Sequence, residues 1–171
     1  MKPNCNENEF SIIQKKEELA TEYFKKNQYD KTKLIYEEIL DIDPKNYKII
    51  CNLAILSGIN NEWEEMELIL LKAQKIKGND PEVLNNIGIA YKNQGKIDLA
   101  IKSYNKAINL KKDYAEAHYN LGILQQDINE LESAIKSYEK AISIMPNHIS
   151  ALNNLGNIRN KNGCKVLAGR P

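Results

Sequence analysis

Residues 84–91 read Leu84-Asn85-Asn86-Ile87-Gly88-Ile89-Ala90-Tyr91, and thirty-four places on, residues 118–125 read His118-Tyr119-Asn120-Leu121-Gly122-Ile123-Leu124-Gln125. The same phase returns at Asn154-Leu155-Gly156; backwards it meets Asn52-Leu53-Ala54 and Glu18-Leu19-Ala20. A column of small residues (Ala20, Ala54, Gly88, Gly122, Gly156) therefore runs beside a column of large apolar ones (Leu19, Leu53, Ile87, Leu121, Leu155). A small residue lets a neighbouring helix approach closely, and the bulky residue beside it fills the remaining space. Seven residues after the small column stand Asn27, Asn61, Gly95, Asn129 and Gly163. Asn and Gly tolerate a left-handed backbone best, so each marks a helix stop. The spacing predicts a helix, a sharp turn and a second helix in every unit.

The second helix has columns of its own. Thr32, Met66, Ala100, Ala134 and Ala168 share one phase. Tyr36, Leu70, Tyr104 and Tyr138 follow four residues later, and Ile39, Ala73, Ala107 and Ala141 three after that. Steps of four and three keep these residues on one helical face. Pro44 and Pro146 stand where a helix should end, and Asp80-Pro81 reads as an N-cap followed by a first-turn proline. The units then run over 13–46, 47–80, 81–114 and 115–148, after a tail at 1–12, with a partial unit at 149–171. Unit two is the most divergent, with Ser57 and Met66 at unusual places and Trp63 filling the extra space. In the last unit the phase expects a turn at Gly163 and a second helix begun by Ala168, which Gly169 and Pro171 oppose. Either its polar first helix caps the array, or the chain is a fragment of a longer one.

These columns resemble the tetratricopeptide repeat: Leu84, Ile87, Gly88, Tyr91, Ala100 and Tyr104 in one unit, Leu121, Gly122, Ala134, Tyr138 and Pro146 in the next. Four and a half units stand in phase without insertion. A single amphipathic hairpin cannot hide its apolar face, so each must lean on its neighbour. The expected fold class is all-α, an α-solenoid. The resemblance implies a right-handed superhelix whose first helices line a concave groove.

Composition excludes several classes. Lys plus Arg number 24 against 23 Asp plus Glu, so the net charge of +1 gives no pull toward nucleic acid or an anionic membrane. The runs of apolar residues are too short to span a bilayer. Three scattered cysteines without a C-x-x-C suit a reducing compartment, and the expected localisation is cytoplasmic. No P-loop, dinucleotide fingerprint or nucleophile elbow occurs. Of the two histidines, His118 reads as a helix-packing residue and His148 as a solvated turn residue, and neither has a metal-ligand companion. No enzyme activity, cofactor or metal is expected.

The column that can carry function is Asn52, Asn86, Asn120 and Asn154, with Glu18 in its first place. A carboxamide both donates and accepts, so a ladder of asparagines could hold the backbone of an extended peptide. This is similar to the asparagine ladder in the repeat superhelix of O-linked N-acetylglucosamine transferase. The alternative is that each asparagine bonds the neighbouring repeat. Ile55, Ile89 and Ile123 run one turn along, either as an apolar floor to the groove or packed into the next repeat, and nearby Cys51, Asn85, Tyr119 and Asn153 should also line the groove as part of the peptide-binding face. The positions that would form a chaperone-tail clamp hold Glu17, Thr21, Cys51, Ile55, Glu82, Glu116 and Ser150, with Lys48 the one basic residue. Binding of a chaperone's acidic C-terminal tail is therefore not expected. The expected function is a scaffold binding a protein or peptide partner in the groove. Alternatives are an accessory region of a glycosyltransferase-like enzyme, and self-association through the incomplete last repeat.

Overall fold

The structure, a computed structural model, describes residues 7–168, with side chains to 160. Among the described residues there are nine helices and no strand: α1 (Glu7–Lys25), α2 (Tyr29–Ile42), α3 (Tyr47–Ile59), α4 (Trp63–Lys77), α5 (Pro81–Asn93), α6 (Ile97–Leu110), α7 (Ala115–Asp127), α8 (Leu131–Ile144) and α9 (Ile149–Ala168). They fall into two compact units, one reaching to Gly78 with α1–α4, the other starting at Asn79 with α5–α9. Consecutive helices pair as hairpins, α1 with α2, α3 with α4, α5 with α6 and α7 with α8.

Four turns between first and second helices share one geometry. Asn27, Asn61, Gly95 and Asn129 have φ of 56°, 61°, 73° and 64°. The next residue in each closes back on the first helix, as Gln28 N donates to Tyr23 O at 2.9 Å and Glu130 N to Gln125 O at 2.7 Å. This satisfies carbonyls that the end of a helix leaves orphaned. The expected fifth turn is not made: α9 runs unbroken through Gly163 to Ala168. Glycine permits the left-handed stop without compelling it. The stop forms where a following amphipathic stretch folds back to bury its face, and 164–168 offer none before Gly169. At the other end, α1 starts at Glu7, inside the expected 1–12 tail, with Glu7 and Glu9 in its first turn where negative charge favours a helix N-terminus.

The core follows the sequence columns. Ala20, Ala54, Ile39, Leu70 and Ala73 are fully buried in the first unit, and Ala100, Tyr104, Ala107, Ala134, Tyr138 and Ala141 in the second. Gly88 and Gly122 are glycine for a steric reason. A Cβ at Gly88 would come within 2.5 Å of Tyr104 Cε1, and one at Gly122 within 2.7 Å of Tyr138 Cε1. In these two hairpins the ring of the second helix thus rests against the backbone of the first. In the divergent hairpin, Met66 and Trp63 lie over Gly58 instead, 3.0 and 3.6 Å from a Cβ placed there.

Candidate peptide-binding face

In the second unit α5, α7 and α9 present Asn86, Asn120 and Asn154 at one register, all half-buried. α5 and α7 touch directly. Across that contact Asn120 Nδ2 donates to Asn85 Oδ1 at 3.0 Å. Asn85, expected to line the groove and contact the peptide, does not: it is only 4% exposed and serves as this buried acceptor. Its carboxamide is held inside by this bond across the α5–α7 contact.

Asn154 has a different partner. Its Nδ2 donates to the Tyr138 hydroxyl at 3.3 Å, and that hydroxyl donates to Gln126 Oε1 at 2.9 Å. Asn52 in the first unit is hydrogen-bonded to Tyr36, which offsets part of the upward push that burial gives this phenol. The spacing is sixteen residues in both, from a second-helix tyrosine to the next first helix. Tyr104 is sixteen before Asn120, yet Asn120 turns to Asn85 and the fully buried Tyr104 hydroxyl has no hydrogen-bond partner. Lys92 stands where the fourth hairpin has Gln126, and it pairs with Asp127 at 3.3 Å. Asn86 has Leu70 sixteen residues before it, a side chain without a hydroxyl.

The reading in which asparagine bonds a neighbouring repeat therefore holds for Asn52, Asn120 and Asn154. It does not exhaust them. An asparagine has two N–H donors and a carbonyl oxygen with two lone pairs. One bond through Nδ2 fixes the plane of the amide and leaves its oxygen and second N–H for something else.

The isoleucines divide. Ile55 is 44% exposed. Ile89 packs against the cluster of Ala100, Tyr104, Leu121 and Leu124, and Ile123 against that of Ala134, Tyr138, Ala151, Leu155 and Ile158. Ile89 and Ile123 are thus only partly available as a floor. Tyr119 also packs on this second cluster, its ring 5.9 Å from that of Tyr138 and 4.6 Å from that of His148.

His148 corrects the sequence expectation. It is 7% exposed, not solvated, and its Nδ1 accepts from Ala151 N at 3.3 Å, capping α9. Its Nε2 faces Glu116 Oε1 at 3.6 Å. The turn is covered because Tyr119 of α7 reaches over it, a contact between residues far apart in sequence. His118 is half-buried, and burial holds its imidazole below the ordinary value. Burial also lifts the buried phenols. Tyr138 is pushed up to about 12 despite the Asn154 bond. Tyr114 is likewise raised to about 12 by burial and then by Glu82, Glu116 and Asp80. Two of these carboxylates, Glu82 and Glu116, stand at clamp positions of the second unit; in the first unit Glu17 stands at another, held by Lys48 at 2.5 Å. Among the described residues no group of His, Cys, Asp or Glu is placed to hold a metal ion, and no helix is long and apolar enough to cross a membrane.

The tyrosine tethers escaped the sequence reading, although the Tyr–Asn interval of sixteen was visible in it. His148 as a cap had no comparable signal.

Comparison with known proteins gives a consistent result. Residues 17–46 and 115–148 match family models described as tetratricopeptide repeat, and residues 90–129 one described as TPR repeat. No curated protein matches the chain significantly. Among solved structures, the MamA protein is similar over 88% of this chain and 82% of its own, with 25% identity and a TM-score of 0.72. YrrB, described as a TPR protein with an unusual peptide-binding site, is similar over 79% and 70%, with 24% identity and a TM-score of 0.69. The first TPR of Spaghetti (RPAP3), bound to the HSP90 peptide SRMEEVD, is similar over 68% and 93%, with 22% identity and a TM-score of 0.63. The last two likenesses speak to the fold.

Proposed function

We propose that this chain, which belongs to the tetratricopeptide repeat proteins, is a non-catalytic scaffold holding an extended segment of a partner protein on the asparagine-bearing face of the first helices α5, α7 and α9. The observation that carries this lies in the second unit, where Asn154 is tethered to Tyr138 and Asn120 to Asn85. A carboxamide already fixed in plane loses little side-chain entropy when it bonds a peptide backbone, so its remaining donor and acceptor are preorganised. On the same unit Asn86 adds a carboxamide with no tyrosine at that interval. YrrB and Spaghetti, both of this fold, have a peptide-binding site or a bound peptide, which supports the same use here.

The proposed ligand is not a chaperone's acidic C-terminal tail. Glu17, Glu82 and Glu116 occupy the clamp positions, and Lys48, the one basic group, is engaged by Glu17. A carboxylate brought there meets like charge. The suggested kinship with the transferase superhelix rests on the asparagine column alone, and three of its four members also serve the internal packing.

The test is affinity capture from cell extract with mass spectrometry, comparing the wild type with Asn86→Ala and with Asn86→Ala/Asn120→Ala. Captured partners should fall away in the variants while far-UV circular dichroism stays the same. Equal capture by all three proteins removes the groove reading.

A further inference from the structure

We propose that the exposed faces of α2 and α4 form a two-fold interface between two copies of this chain. In the first unit these are the second helices of its two hairpins, and both pack on α3. Lys33 of α2 reaches Glu65 of α4 at 3.1 Å, so the two lie side by side. Each carries an outward stripe with steps of four and three, which keep its members on one helical face. On α2 the stripe is Leu34, Glu38 and Asp41; on α4 it is Leu68, Lys72 and Lys75. All six are exposed, the two leucines by 59% and 62%. The stripes stand thirty-four residues apart, so their members hold equivalent places in the two hairpins: leucine with leucine, glutamate with lysine, aspartate with lysine. Beside the two lysines opens an apolar hollow of about 360 Å³, with Leu40, Leu53, Ile69 and Ile76 among its walls.

Charge selects the occupant. Within one chain these rows are not paired: Glu38 is taken by Lys16 through Oε2, and Asp41, Lys72 and Lys75 make no ion pair among the described residues. As second helices of consecutive hairpins, α2 and α4 run the same way. A two-fold axis lying along them and between them brings the α2 of a second copy opposite α4, and its α4 opposite α2, place for place. Leu34 then meets the other copy's Leu68, Glu38 its Lys72 and Asp41 its Lys75, and symmetry makes every contact twice. Burial rewards the leucines, and the unlike charges beside them fix the register. The second unit supplies the contrast. The same places hold Lys102, Lys106 and Asn109 on α6, and Lys136, Lys140 and Ser143 on α8, all exposed. Turned on a copy of itself, that pair of stripes would set lysine against lysine. Complementarity to a second copy is therefore confined to α2 and α4. This interface and the asparagine face of α5, α7 and α9 can each fail without the other.

The test is sedimentation equilibrium of the full chain, loaded from micromolar to near-millimolar concentration. The wild type should pass from monomer to dimer within that range. Leu34→Lys/Leu68→Lys, which copies the residues of the second unit, should weaken the dimer at least about tenfold, the scale of losing buried anchors at an interface. Asp41→Lys and Lys75→Asp should each weaken it alone, because each sets like charges together. An equimolar mixture of those two variants should restore it as a heterodimer, because every facing pair is again unlike. All four positions are exposed, so far-UV circular dichroism should be unchanged in each variant. A wild type that stays monomeric overturns the proposal; if that monomer also loses a captured protein with Leu34→Lys/Leu68→Lys, the stripes serve a different partner. Dimerisation indifferent to the leucines overturns it too, by placing the contact elsewhere on the chain. A mixture that fails to restore the dimer overturns the two-fold pairing.

Discussion

Asn120 donates through Nδ2 to Asn85 Oδ1 at 3.0 Å, and by doing so leaves the Tyr104 hydroxyl buried without a partner. In the next hairpin the equivalent asparagine bonds the equivalent tyrosine, Asn154 to Tyr138. Two residues of identical type and spacing thus make different bonds, and the difference has measurable consequences.

Removing the two hydroxyls should have opposite effects. Tyr104→Phe deletes a desolvated group that bonds nothing, so stability should hold or rise by up to about 1 kcal/mol. Tyr138→Phe strands Gln126 and Asn154 and should cost about 1–2 kcal/mol. Urea unfolding followed by circular dichroism measures both. Equal losses would mean that Tyr104 finds a partner in solution.

The two glycines at the ends of the second unit should also diverge. Gly88→Ala pushes a methyl group into the Tyr104 ring and should lower stability by about 1–3 kcal/mol, the usual cost of overpacking, less the gain in helix propensity. Gly156→Ala meets open space and should raise stability by up to about 1 kcal/mol. Thermal denaturation of the pair decides. A stabilised Gly88→Ala would contradict the close ring contact.

His148→Ala removes the cap at the start of α9 and its stacking on Tyr119, at a cost of about 1–2 kcal/mol. The loss should concentrate locally: amide exchange in α9 should quicken more than in α5 or α6. Uniform exchange across the second unit would argue against a capping role.

At high pH the buried phenols should unfold the protein. Their folded-state values lie above the ordinary value of about 10, with Tyr114 and Tyr138 raised to about 12. The stability that depends on keeping them neutral is complete below pH 10 and is lost as pH rises from there through 12. Helical circular dichroism should therefore collapse together with the appearance of phenolate absorbance in that window. Full ionisation near pH 10 with helices intact would be inconsistent with these environments.

The hairpins were legible because their causes are local or periodic. A positive φ at Asn27, Asn61, Gly95 and Asn129 suits residue types that can adopt it, and the buried columns repeat every thirty-four residues. The asparagine face was legible as a row of positions and not as a set of bonds. Whether Asn120 turns to Asn85 or to Tyr104 depends on how closely α5 approaches α7, which no single-residue property records.

The sequence by itself determined where the four hairpins turn, which faces their helices bury, and that a small residue stands at one fixed place in each first helix. Those follow from backbone sterics and from a period that burial imposes on the chain. Tertiary structure alone decided that His148 is a buried cap, that Asn85 lies inside, and that α9 runs past Gly163 with Gly156 uncovered. Each of these turns on whether another helix is near enough to reward one conformation over another, a competition settled by packing between residues far apart in the chain.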